Sequence, residues 1–270
     1  MKNIGFILFL AIMIANTSTV NAQDAHFLQY NTAPMLLNPA LTGGGYDAKG
    51  DLPSNRVMLN YANEWATALQ SKSFNKLNLS YDMMIPVGRY DGFGAGISVG
   101  GNRSGALDIT NGDVKIAAAF QRRIGGYRQK SHYLQIGLEG GMLALPSSNI
   151  ASKTSFLPNA GAGIVWQTNL DYNNYFNIGV SATHLNRGQP SFVNEGFEGI
   201  YTKYTIHGSG SFKVNKKISL LPAIAYYTQG PYYELTPGTA LQYDFSTNKR
   251  TSKALQLGAW ARFNNTFKMK

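Results

Sequence analysis

The side chains best suited to metal or acid–base chemistry are four histidines, His26, His132, His184 and His207. None stands in an H-x-H or H-x-x-x-H spacing, so no pair is placed on one strand face or one helix turn to grip a metal. His184 and His207 fall on neighbouring predicted strands and form the one candidate pair; the plainer reading is two lumen or rim histidines. The chain has no Cys, which excludes thiolate ligands and thiol nucleophiles. Asp24 and His26 stand close together, but no G-x-S-x-G frames a serine nucleophile. The alternating glycines of residues 92–96 are not a phosphate loop, because no helix follows them. Alternate glycines in a strand instead clear space on one face. The reading is therefore no catalytic group, no cofactor site and no metal centre.

The elements that would position any site are strands. Period-2 alternation runs through the chain. Leu77, Leu79, Tyr81 and Met83 share one face, against Lys76, Asn78, Ser80 and Asp82 on the other. Phe176, Ile178, Val180 and Ala182 oppose Tyr175, Asn177, Gly179, Ser181 and Thr183. Eleven such segments are expected, centred near Leu59, Leu79, Ile97, Ala117, Leu138, Ile164, Gly179, His207, Ala223, Leu241 and Ala259. Most extend over about 9–12 residues, which suits the about 9–11 a tilted strand needs to cross a bilayer and exceeds the about 5–6 usual in sandwiches. Aromatics gather near the strand ends, among them Tyr61, Trp65, Tyr81, Tyr90, Tyr133, Trp166, Tyr175, Tyr204, Tyr226, Tyr232, Tyr243 and Phe263, as two interfacial girdles would require. Only 14% of residues are charged, against about 25% in soluble domains. A soluble sandwich is the competing architecture. An antiparallel outer-membrane β-barrel fits better.

The N-terminus supports export. Lys2 precedes a twelve-residue apolar run, residues 4–15, too short for a spanning helix. Val20-Asn21-Ala22 then places small or compact residues where a signal peptidase cuts. The expected organisation is a signal peptide over 1–22, an N-terminal luminal or periplasmic segment over 23–50, and a barrel over 51–270. The mature chain would carry 23 basic residues (24 without Lys2) against 14 acidic, a net +9.

Motifs along the mature chain carry a resemblance. Gln23-Asp24-Ala25-His26-Phe27-Leu28-Gln29-Tyr30 is followed by Asn38-Pro39-Ala40-Leu41-Thr42-Gly43. Tyr61-Ala62-Asn63-Glu64-Trp65, Ser80-Tyr81-Asp82 and Leu257-Gly258-Ala259-Trp260-Ala261-Arg262 come later. These resemble the PorP/SprF family of type IX secretion and gliding-motility outer-membrane proteins of Bacteroidetes. The motif residues are Gln23, Asp24, Phe27, Gln29, Tyr30, Asn38, Pro39, Ala40 and Gly43. Ala25, Ala62 and Glu64 depart from the family's usual Pro, Arg and Gln. The resemblance implies a fourteen-stranded barrel that continues about three strands beyond the Leu-Gly-x-Trp element, an even number as bacterial barrels have. The sequence holds about eleven strands. The expectation is a barrel incomplete at its C-terminus, through truncation or a frameshift.

Two further regions invite function. The 23–45 segment is apolar without alternation and is expected to fold into the lumen or against its periplasmic mouth. Basic residues concentrate in the predicted periplasmic turns, with Arg122, Arg123, Arg128, Lys216, Lys217, Lys249 and Arg250 as a candidate rim for an acidic partner. They form no single basic helix or stripe, which speaks against nucleic acid. The resemblance implies a non-catalytic outer-membrane barrel that assists secretion or surface attachment of cargo proteins such as adhesins, with lipid, the type IX machinery and cargo as partners. The alternatives are a diffusion channel for small hydrophobic molecules and a non-functional truncated remnant. Cargo contact is expected in loops 146–158 and 186–200.

Overall fold

A computed structural model describes residues 27–44, 55–64, 74–88, 90–104, 109–127, 130–146, 154–187, 200–245 and 253–264. Twelve strand segments follow a short helical stretch: β1 (Asn55–Glu64), β2 (Phe74–Val87), β3 (Asp91–Ser104), β4 (Ile109–Tyr127), β5 (Lys130–Pro146), β6 (Thr154–Asn169), β7 (Tyr175–Thr183), β8 (Lys203–Lys213), β9 (Ile218–Gln229), β10 (Tyr232–Asp244), β11 (Ala254–Trp260) and β12 (Phe263–Asn264). They form one antiparallel meander in sequence order from β1 to β11. β11 and β12 lie on one line of pairing, since Gly238 faces Trp260 and Leu235 faces Phe263. The break falls opposite Pro237, which has no N–H to give the ladder; Ala261 N donates to Pro237 O at 3.0 Å. The eleven expected strand centres each fall in one of β1 to β11.

The strands are longer than the alternation suggested, with 19 residues in β4 and 17 in β5. One reason is that Gly125-Gly126, a dipeptide that signals a turn, lies within β4. A register shift between Arg123 and Gly125 absorbs the irregularity, and pairing resumes through Tyr127. Similarly, β6 begins at Thr154, so the expected 146–158 loop shrinks to residues 147–153, which lie outside the described residues. Pro158 is tolerated there because its missing N–H faces the edge beyond the end of β7. Asn186 covers that edge, donating to Pro158 O at 2.5 Å and accepting from Ala160 N at 3.2 Å.

Burial is inverted relative to a soluble protein. Leu59, Leu79, Ile97, Leu138, Ile178 and Ile206 are exposed, while Asn78, Asp82, Gln121, Thr205 and His207 are buried. A sandwich would hide the apolar face; here that face points outward and the polar face lines the interior. The fold is therefore that of an outer-membrane β-barrel, a class that carries its apolar band on the outside. Tyr61, Tyr204 and Phe263 are exposed toward one end of the sheet, and Tyr90, Trp166 and Tyr243 toward the other. Tyr133 is a correction to the girdle: its register position faces inward and it is buried. Trp65 lies outside the described residues.

The sheet is not closed. Eleven alternating strands leave β1 and β11 running in the same direction, and among the described residues no ladder joins them. One end of the sheet carries the connections at 88–90, 170–174 and 214–217, called the turn end below. The other carries those at 184–202 and 230–231, the loop end. The 170–174 turn is held by Asp171, whose carboxylate accepts from the backbone N–H groups of Asn173 and Asn174. Those bonds hold its carboxyl below the usual carboxylate range.

Candidate functional site: the occupied interior

Residues 27–44 form two short 3₁₀ turns, Tyr30–Thr32 and Pro39–Leu41, around a four-residue helix, α1 (Pro34–Leu37). Pro34 starts α1, where its missing N–H costs nothing. Asn38 is extended and caps the next turn, its Oδ1 accepting from Ala40 N at 2.9 Å. Thus the Asn-Pro-Ala element is a cap and a turn start in three residues. Gly43 follows with φ +83, the left-handed region that side-chain-bearing residues avoid.

This segment packs on the inner face of the sheet and touches strands around its whole course. Asn38 Nδ2 donates to Ile164 O on β6 at 3.3 Å and to Val180 O on β7 at 3.0 Å, and lies 3.1 Å from His207 Nε2 on β8. Ser181 Oγ donates to Leu37 O at 2.8 Å. Asn60 Nδ2 on β1 donates to Thr32 O at 2.9 Å, and Tyr30 OH on the segment donates to Thr236 O on β10 at 3.3 Å. Tyr30 and Leu37 join Ala223, Ala225 and Tyr227 of β9 in the apolar cluster, with Trp260 of β11 against it. Burial pushes the Tyr30 phenol up from its ordinary value.

One strand feature makes room for the segment and another anchors it. A Cβ at Gly163 would lie 2.0 Å from Asn38 Oδ1, so only glycine lets Asn38 reach the backbone of β6. Gly43 N donates to Asp82 Oδ2 at 2.7 Å. Asp82 is fully buried, and Arg56 satisfies it: Arg56 Nε donates to Asp82 Oδ1 at 2.9 Å and Nη2 contacts Oδ2. The same Nη2 donates to Leu41 O at 2.9 Å, tying β1, β2 and the segment into one charged node.

The sequence motif residues divide accordingly. Phe27, Tyr30, Asn38, Pro39 and Ala40 are buried, and Gly43 is held at Asp82. Gln29 is exposed and contributes through its carbonyl, which accepts from Thr32 N and Oγ1. Gln23 and Asp24 lie outside the described residues. Arg56 was not singled out from the sequence. Its signal was weak, a lone cation on the inner face of the first strand.

The candidate pair of His184 and His207 is not brought together on the paired strands. His207 lies opposite Gly179, whereas His184 follows Thr183, which pairs with Lys203 at the loop end. Among the described residues no group of three potential ligands is gathered. Of the basic rim, Arg122, Lys216 and Lys217 are exposed at the turn end. Arg123 is engaged locally: its Nη2 donates to Gly126 O at 2.9 Å and its guanidinium lies 4.4 Å from the Tyr90 ring centroid. Arg128, Lys249 and Arg250 lie outside the described residues.

The antiparallel sheet thus carries the Asn-Pro-Ala turn packed against its polar inner face. Residues 19–269 match the type IX secretion system membrane protein family PorP/SprF. The chain belongs to this family. PorP/SprF membership makes it a membrane protein associated with type IX secretion. Comparison with curated proteins and with solved structures gave no match. Seven of the nine PorP/SprF motif residues fall within the described residues, all in the segment that packs inside the sheet.

Proposed function

We propose that this barrel assists the type IX machinery in secreting cargo proteins or attaching them, adhesins among them, to the cell surface, without catalysis. The observation that carries the reading is the occupied interior. Hydrogen bonds to side chains of β1 and β2 and to backbone carbonyls of β6, β7 and β10 hold residues 27–44 where a conduit would need open space. That favours a docking body over a diffusion channel for small hydrophobic molecules. Residues 1–22 would direct export and be removed, delivering the barrel to the outer membrane. Cargo would meet the loop end, including the 186–200 connection. The machinery would meet the turn end, where Arg122, Lys216 and Lys217 supply positive charge; Arg128, Lys249 and Arg250 are the further members of the proposed rim. Affinity purification of the tagged full chain from its native cells tests this. A small set of surface proteins should co-purify, and deletion of the gene should remove them from the surface. Recovery of no surface protein, with robust conductance in planar bilayers, would support the channel instead.

A further inference from the structure

One histidine lies under the packed segment. His207 is on the inner face of β8 and is 2% exposed. Its ring lies across Gly179 of β7, where a Cβ would come 2.4 Å from His207 Nε2 and 2.7 Å from a methyl of Val165 on β6. Nε2 meets Asn38 Nδ2 of the segment at 3.1 Å, and Nδ1 has no hydrogen-bond partner. The Asn38 amide cannot turn over to suit the ring. Its Oδ1 accepts from Ala40 N at 2.9 Å, and its Nδ2 donates to the carbonyls of Ile164 and Val180. A flipped amide would set oxygen against oxygen and N–H against N–H. His207 Nε2 is therefore an acceptor, and the seated ring is a neutral imidazole with its hydrogen on Nδ1.

An imidazolium does not suit this seat. A hydrogen on Nε2 would point at the hydrogens of Asn38 Nδ2, and its charge would be buried with no carboxylate beside it. Residues 27–44 and strands β6 to β9 contain no Asp or Glu. The segment's one titratable side chain is Tyr30, whose OH donates to Thr236 O. β6 has none, and β7 has only Tyr175 at its turn end. On β8 Lys203 stands four residues from His207 at the loop end and Lys213 is exposed at the turn end; on β9 Tyr227 lies opposite Thr205 and Tyr226 faces outward. Asp82, Glu139 and Glu234, on β2, β5 and β10, already face Arg56, Lys115 and Arg262. We propose that Asn38 and His207 form an acid-sensitive latch, in which a proton on His207 releases residues 27–44 from the inner face. Seating requires the neutral ring, whereas the released ring meets water and can take the proton. The seat is therefore at full strength above about pH 6.5, the ordinary value of a solvated imidazole, and weakens below it by at most about tenfold per pH unit, the limit for one proton. The latch makes the filling of the barrel conditional on pH, whichever partner the barrel serves.

The experiment measures thiol protection in the folded full chain in detergent micelles. The chain has no Cys, so Leu37→Cys places a single thiol in the seated segment at a position that is 3% exposed. Met35, equally buried, serves in its place should Leu37→Cys prevent folding. Dithiodipyridine labels the thiol at each pH, and the rate is divided by that of the same chain unfolded in urea, which cancels the thiol's own ionisation. Protection should be constant above pH 7 and fall about tenfold by pH 5.5, as one proton allows. His207→Gln keeps an acceptor for Asn38 but cannot take up a proton, and its protection should stay level across the same range. His207→Asn is the second variant should Gln prevent folding. Heat-modifiable gel mobility reports whether the sheet stays folded. Protection that does not change between pH 8 and pH 5.5, the same fall in a folded His207 variant, or a fall that accompanies loss of the folded band would each overturn the proposal.

Discussion

Arg262, after the last long strand, donates from Nη1 to Glu64 Oε2 of the first strand at 3.2 Å. The two edges of the sheet are thus linked by side chains where, among the described residues, no backbone ladder joins them. Lys76 Nζ donates to Glu64 Oε1 at 2.9 Å and Arg262 Nε lies 3.1 Å from Glu234 Oε1, so two cations alternate with two carboxylates. Parity explains why side chains carry the link. With eleven alternating strands, β1 and β11 run in parallel and do not continue the antiparallel pattern. Arg262→Met should therefore loosen the seam selectively. Glu64 keeps Lys76, so the expected loss is about 1.5–3 kcal/mol, the scale of a hydrogen bond to a charged group. Denaturant titration of the folded barrel checks it, and an unchanged midpoint would mean the pair is incidental.

The outward apolar face makes a second prediction. Leu138 projects from the middle of β5 and is 64% exposed. On a soluble sheet an exposed Leu→Arg change would be nearly neutral. On a lipid-facing surface, Leu138→Arg should cost about 2–4 kcal/mol near the bilayer midplane. Folding into phospholipid vesicles measures the difference. Equal folding yields for both proteins would contradict a lipid-facing β5.

Strand identity was legible in the sequence because alternation is a local signal. Lys76 to Met83 reads as two faces before any partner is known. What alternation cannot say is which face turns inward; strand length and low charge decided that indirectly. Strand ends were less legible, since Gly125-Gly126 and Pro158 look like breaks until the neighbouring strand shows a bulge in one case and an unpaired edge in the other. The interior node was least legible. Arg56 and Asp82 lie 26 residues apart and meet only through the β1–β2 register, with the carbonyl of Leu41 added from a segment with no alternation at all. The offset of His184 from His207 along β7 and β8 was likewise beyond the reach of spacing alone.

That node supplies the third prediction. Asp82 is wholly buried, and Arg56 is its charged partner. Replacing Arg56 with Met leaves a buried carboxylate facing only the N–H of Gly43, a loss expected to be about 3–5 kcal/mol. Asp82→Asn combined with Arg56→Met removes the charge as well and should recover part of that loss. A double-mutant cycle by urea unfolding reads the coupling; additive losses would show that the two side chains do not act as a pair.

The last prediction concerns the occupied interior. Asn38 joins the packed segment to three strands through one amide, and its Oδ1 also caps the turn that follows. Asn38→Ala deletes these contacts at once. It leaves His207 and two strand carbonyls facing a gap, at a cost of about 1–3 kcal/mol for buried groups left unpaired. The segment keeps its other anchors at Asp82, Ser181 and Thr236, so the sheet should still fold. What should change is how often the segment leaves its seat. Planar-bilayer recordings should show rare or no openings for the parent and frequent openings for Asn38→Ala. Gly163→Val, which puts a side chain where Asn38 now lies, should give the same phenotype by a different route. Silent recordings from both folded variants would mean that residues 27–44 do not control passage through the barrel.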